Sequence, residues 1–148
     1  MLMSTSTPAS AGLHRAMLVA PTRQLFASRD VQETRALVSR VMKPHALNIA
    51  SGRQSLDARM HHLGFGDVSI SRLCYGAEVQ IEPGELEDFF LVMMPLQGRA
   101  QVRSGFDTLE SQPDVASVIS PHLGTAMRWS ADCDQLMVRI ARPFRSAC

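Results

Sequence analysis

From about Leu56 to Ile140 the chain alternates apolar and polar residues in short runs, broken by Gly, Pro and Asp. The segment Asp67 to Pro83 (DVSISRLCYGAEVQIEP) is the clearest case. Val68, Ile70 and Cys74 fall on one side of an extended chain, Ser69 and Ser71 on the other, and Val79 and Ile81 resume the beat after Gly76. A period of two with turn residues between runs predicts strands with one buried face. Here that face is expected to carry Val68, Ile70 and Cys74, with Cys74 acting as a small buried hydrophobe. The same reading gives strands over Asp57–Leu63, Val68–Tyr75, Glu78–Ile81, Asp88–Met94, Gly98–Arg103, Thr108–Glu110, Ala116–Ile119, Thr125–Trp129 and Gln135–Ile140. Many short strands in series predict a sandwich or a closed barrel.

One helix interrupts this pattern, expected from Val31 to Met42. Asp30 is a candidate N-cap and Glu33 stands three residues later, the spacing of a capping box. Val31, Leu37, Val38 and Val41 give a one-sided apolar stripe, and Pro44 ends the helix. Residues 1–24 open rich in Ser, Thr, Ala and Pro and read as a flexible arm, with weak strand character at Ala16–Ala20. Residues 25–141 form the single expected domain, and residues 142–148 a short tail.

Composition narrows the classes. The 148 residues are 45% hydrophobic and 20% charged, which fits a globular domain with a real core. A net charge of +1 gives no electrostatic reason for contact with nucleic acid or with a membrane surface. The three cysteines, Cys74, Cys133 and Cys148, form no CxxC pair. This argues against a disulfide framework and a structural zinc site, and fits a reducing, cytoplasmic setting. No apolar run is long enough to span a bilayer.

No reaction centre emerges from the candidate chemistry. His61 and His62 are adjacent, so in a strand they point to opposite faces; one is expected in or near a cavity and the other in water. A metal would need them to combine with His122 through the fold, which makes a metal-dependent enzyme the alternative reading. Cys133 sits between Asp132 and Asp134, carboxylates that raise a thiol pKa and weaken it as a nucleophile. Glu82, Glu85, Glu87 and Asp88 read as a solvated loop, and Arg99, Gln101 and Arg103 as a solvated strand face. Arg59, Arg72, Arg128 and Arg139 lie inside strands, where each must face water, pair with a carboxylate or meet a ligand. An arginine pointing into a barrel suits a carboxylate ligand. Tyr75 and Trp129, the only Tyr and Trp, offer stacking area with a polar handle.

The runs LDARMHHLGFGDVSISRLCYGAEVQIEPGELEDFFLVMMPLQGRAQVRSG and VASVISPHLGTAMRWSADCDQLMVRI, in order along residues 25–140, resemble the N-terminal sensor domain of AraC/XylS-type transcriptional regulators. The matching elements are Leu56 to Arg59, Leu73 to Val79, Phe89 to Gly98, Ser120–Pro121 and Trp129 through Leu136, with the helix before them. The resemblance implies a mainly β, cupin-like jelly-roll barrel with one N-terminal helix packed on it. It implies a small-molecule inducer inside the barrel, such as an aromatic carboxylate, with no cofactor, no metal and no catalysis. On this footing His61, Arg72, Tyr75, Met93 and Trp129 are the expected ligand-binding residues. A homodimer is a further expectation. Promoter DNA would be contacted by a C-terminal helix-turn-helix domain absent from this sequence, so direct DNA contact by this chain is not expected.

Overall fold

The computed structural model describes residues 24–50 and 55–142; the strand expected at Ala16–Ala20 and the tail from residue 143 lie outside them. The elements in chain order are β1 (Gln24–Ser28), α1 (Val31–Val41), β2 (Ala46–Ile49), β3 (Ala58–Phe65), β4 (Val68–Cys74), β5 (Val79–Gly84), β6 (Phe89–Gln97), β7 (Ala100–Ser104), β8 (Asp107–Ser111), β9 (Ser117–Ile119), β10 (Thr125–Trp129) and β11 (Asp134–Ala141). The nine strands read from alternation correspond to β3–β11. The two short strands flanking the helix, β1 and β2, were not expected. No helix among the described residues is long and apolar enough to cross a membrane.

The strands form two sheets, β1-β3-β4-β11-β6-β9 and β2-β5-β10-β7-β8. Every pairing is antiparallel. From β4 onward the chain passes repeatedly between the sheets, as in a jelly roll. The sheets face each other, and among the described residues no strand pairing joins them into a closed barrel. Met60, Leu73, Met93, Met137, Phe89 and Leu91 point inward from one sheet, and Leu47, Val79, Ile81, Val102, Met127 and Trp129 from the other; all are buried.

Helix α1 connects β1 of the larger sheet to β2 of the smaller one, so it closes one end of the sandwich. Its start is fixed as the sequence suggests: Asp30 Oδ1 accepts from the Glu33 backbone N–H at 2.7 Å. The return half of the capping box is relayed. Ser28 Oγ donates to Glu33 Oε2 at 2.8 Å and accepts from the Asp30 backbone N–H at 3.1 Å. Thr34 and Val38 are the buried positions of the helix, while Val31, Leu37 and Val41 pack partly buried against the core.

One expectation about β4 is reversed. Its buried residues are Ser71 and Leu73, whereas Val68, Ile70 and Cys74 lie half-buried on the outer face. Register explains this. Leu73 pairs with Met60 of β3 and with Gln135 of β11, and Ser71 with Met137, all of them inward-facing. Alternation separates two faces of a strand without saying which one is inside. The serines were read as the wet face because they are polar, yet the outer face of this sheet is also apolar. Leu63, Ile70, Val138, Val92 and Val118 form one unbroken aliphatic row across five strands. The outer face of the smaller sheet carries Gln80, Gln101, Arg103, Glu110 and Arg128 instead, and there the alternation reads as expected.

Candidate ligand-binding site

The site grows from the end of the sandwich that α1 covers. Met42 and Lys43 leave the helix, Pro44 turns the chain, and His45 precedes β2. Lys43 Nζ donates to the backbone carbonyl of Glu85, tying the helix end to the β5–β6 connection. Beneath this cover is a cavity of about 40 Å³ with an almost wholly apolar lining, including Val38, Met42, Leu73, Tyr75, Phe89, Leu91, Met127, Trp129 and Met137. That volume holds about two or three water molecules. A larger guest therefore enters only if side chains move. Met42, Met127 and Met137 are suited to that, since an unbranched thioether side chain changes rotamer easily.

Three polar atoms mark the interior. Tyr75 and Trp129 meet edge to face, with ring centroids 5.3 Å apart and planes at 60°. Trp129 Nε1 is buried and has no hydrogen-bond acceptor. His45 Nδ1 lies 2.8 Å from the Lys43 carbonyl oxygen. A carbonyl only accepts, so Nδ1 carries the proton, leaving Nε2 as an acceptor. Nε2 too is buried without a partner. Burial lowers the His45 pKa, and the Arg35 charge adds to that. Burial holds the Tyr75 phenol far above its ordinary value, so it stays protonated. The interior thus offers aromatic faces, one indole donor, one imidazole acceptor and one neutral phenol.

The expected ligand-binding residues divide. Tyr75 and Trp129 line the cavity. Met93 is fully buried on the inner face of β6 but deeper in the core, outside the lining. His61 and Arg72 are directly paired across β3 and β4, on the outer face of the larger sheet. There Arg72 forms a two-pronged ion pair with Asp134, Nε to Oδ1 at 3.0 Å and Nη2 to Oδ2 at 2.6 Å. These two residues are therefore corrected from interior to exterior, for the same parity reason as Val68, Ile70 and Cys74.

His62 is the inward histidine, its Nδ1 2.8 Å from Ser71 Oγ. The inward arginine is Arg139, whose guanidinium carbon lies 4.3 Å over the Phe89 ring. Sequence reading had grouped Arg139 with the other strand arginines without separating it. His45 and Met42 were missed altogether. The one signal for them was indirect, because a lone amphipathic helix ahead of a sandwich has an open end to cover.

The remaining candidates fall away from the interior. Arg99 pairs with Glu110 at 3.2 Å and Arg128 with Glu78 at 3.0 Å, both on the solvent side. Glu82, Glu85, Glu87 and Asp88 are exposed. Burial above all, with Asp132 and Asp134 nearby, pushes the Cys133 thiol up to about 12, so it is not a nucleophile at neutral pH. Among the described residues no group of three or more His, Cys, Asp or Glu could hold a metal ion, and His122 is exposed in its turn.

The histidines also couple protonation to stability. His45, His61 and His62 all have pKa values lowered chiefly by burial, with Arg72 acting further on His61 and Arg139 on His62. A folded-state pKa below the unfolded one means that protonation favours the unfolded chain. Stability is fully present above the ordinary histidine value and declines as pH falls through it. The urea midpoint is expected to be lower at pH 5.5 than at pH 7.5; an unchanged midpoint would show that these imidazoles titrate normally.

Residues 34–147 match the family model described as AraC-binding-like domain. A "Probable thc operon regulatory protein" of Rhodococcus erythropolis is 31% identical over 110 residues, 74% of this chain and 30% of that protein. The "XylDLEGF operon transcriptional activator 1" of Pseudomonas putida is 21% identical over 117 residues, 79% of this chain and 36% of that protein. The chain thus spans about a third of the length of these relatives. Among solved structures, the AraC-like transcriptional activator CuxR aligns with a TM-score of 0.64 at 15% identity, over 78% of this chain and 46% of that one. A cupin superfamily protein from Desulfitobacterium hafniense aligns at 0.50 and 18% identity, over 63% of this chain and 83% of that one. The fold is cupin-like, and the chain belongs to the AraC-binding-like domain family, homologous to regulators of the AraC/XylS type.

Proposed function

We propose that this chain is the effector-sensing part of a transcriptional regulator. It binds a small-molecule inducer, an aromatic carboxylate, between its sheets and catalyses nothing. The observation that carries this reading is the Tyr75–Trp129 pair at the cavity, with the Trp129 N–H and His45 Nε2 both unpartnered. A buried donor and acceptor without partners are costly to the unliganded protein; an acceptor on the guest satisfies the Trp129 N–H, while His45 Nε2 needs a donor such as a hydroxyl, because an ionised carboxylate only accepts. Because the cavity is small, the guest displaces lining side chains such as Met42 at the helix end. Binding then favours one arrangement of α1 over another, which is a population shift. The printed names of the relatives, an operon regulatory protein and an operon transcriptional activator, support a regulatory output through DNA-binding parts beyond this chain.

Thermal unfolding against a panel of aromatic acids and sugars tests the reading. An aromatic acid at a hundred times its dissociation constant is expected to add about 2.7 kcal/mol of stability. No stabilisation by any member at millimolar concentration would remove the sensing function.

The homodimer is proposed to form through the outer face of the larger sheet, with a second copy as its occupant. Phe65, Phe90 and Val118 are 49%, 40% and 67% exposed there. Five strands by three residue rows make a footprint of roughly 500 Å². Monomers rarely leave more than a few hundred Å² of contiguous apolar surface open; the patch is short of the roughly 800 Å² per partner of a standard interface, so residues at its rim must bury the rest. The charged groups at the edge of the patch, Arg72 and Asp134, are already paired with each other, so two identical faces meet without like-charge repulsion. Sedimentation of the full chain is expected to give a dimer, and Val138→Lys a folded monomer. A monomeric wild type at high micromolar concentration would show that something else covers this face.

A further inference from the structure

Among the arginines of the strands, Arg59, Arg72 and Arg128 each lie within 4.0 Å of a carboxylate, and Arg103 stands exposed on the outer face of the smaller sheet. Arg139 differs from all of them. Its side chain follows the inward parity of Gln135 and Met137. No described residue gives it an ion pair or a hydrogen bond, and its Nε is buried without an acceptor. Its guanidinium carbon lies 4.3 Å over the Phe89 ring, its charge reaches His62, and Phe89 is itself part of the cavity lining. The cation–π contact does not replace the acceptor that the buried Nε–H lacks.

The surroundings of Arg139 add a second donor. Ser69 is the cross-strand partner of Arg139, and its Oγ is buried with no hydrogen-bond partner. Gly64 is in turn the partner of Ser69 and contributes no side chain; a Cβ built there would meet only the far ring nitrogen of His62, at 3.9 Å. No carboxylate of the chain occupies this inward row, which runs Gly64, Ser69, Arg139, Leu91, Ile119. We infer that Arg139 and Ser69 form the subsite that holds the carboxylate of an acidic effector, with the effector's apolar body directed past Phe89 toward Tyr75 and Trp129. A carboxylate there would accept two N–H groups from the guanidinium fork and the hydroxyl proton of Ser69. This rests on the proposed sensing function and adds the group that selects acids over neutral analogues.

The test compares benzoate with benzamide, an uncharged molecule of nearly the same shape, by calorimetry on the full chain. Wild type is expected to bind benzoate at least about ten times more tightly than benzamide. Arg139→Gln is expected to weaken benzoate by about 30-fold and leave benzamide unchanged. Ser69→Ala, a smaller change that preserves folding if the arginine variant does not fold, is expected to weaken benzoate alone by about fivefold. Arg72→Gln, on the outer face, is expected to alter neither. Equal binding of both compounds by wild type, or equal loss of both in Arg139→Gln and Ser69→Ala, would overturn the subsite and leave the sensing reading standing. Binding of neither compound by wild type would overturn the subsite, and the sensing reading falls with it only if the whole panel of acids and sugars also fails to stabilise the protein.

Discussion

Trp129→Ala is expected to remove about 3–5 kcal/mol of stability, a large share of the 5–15 kcal/mol that such a domain has in total. Trp129 is 1% exposed, ends β10 and closes against Tyr75, so truncation opens a void between the two sheets that neither backbone can close. Trp129→Phe separates packing from chemistry. It leaves a smaller void, at about 1–2 kcal/mol, but also deletes a buried N–H with no acceptor, whose desolvation costs about 1–3 kcal/mol. The two effects nearly cancel, and the variant should unfold close to wild type in urea. If the indole N–H is a ligand donor, the same variant should nonetheless bind the effector more weakly. A phenylalanine variant that binds the effector as wild type does would show that Trp129 has only a packing role.

Gly98→Ala is the second large effect, expected at about 2–5 kcal/mol. Gly98 lies in the β6–β7 turn with φ +72°, a conformation costing an L-residue about 1–2 kcal/mol. A Cβ there would stand 2.7 Å from both Cys133 Cα and Cys133 N, and those are backbone atoms held by their own contacts. Ser130 N–H donates to Arg99 O at 2.9 Å and Cys133 N–H to Ser130 O at 3.0 Å, while the Arg99 N–H donates to Ser130 Oγ at 3.0 Å. The overlap therefore cannot relax cheaply, and overpacking adds about 1–3 kcal/mol. Gly84→Ala is the control. Its φ is +68° but nothing lies within 4 Å of the added carbon, so only the conformational part, about 1–2 kcal/mol, should be lost. Equal urea midpoints for the two variants would show that the turn moves away from the β10–β11 loop.

Much of the fold was legible in local sequence. The strands from β3 to β11 follow from alternation and turn residues, and α1 follows from Asp30, Glu33 and a one-sided stripe. The short β1 and β2 were not legible, since four or five residues carry too little pattern to stand out. Tyr75 and Trp129 were picked for their chemistry, and both line the cavity. His61 and Arg72 were picked over their neighbours His62 and, on β11, Arg139. In each case the residue chosen lies on the outer face and its neighbour on the inner one.

The chain alone determined the alternation, the turns, the single helix and the family. Only the tertiary structure decided which parity of each strand faces inward. A period of two is symmetric between faces, and the larger sheet is apolar on both, so local pattern could not break the tie. Pairing did: the register of β4 with β3 and β11 sets Leu73 against Met60 and Gln135. That single choice sends Arg72 to Asp134 on the outside and leaves Arg139 turned inward over Phe89.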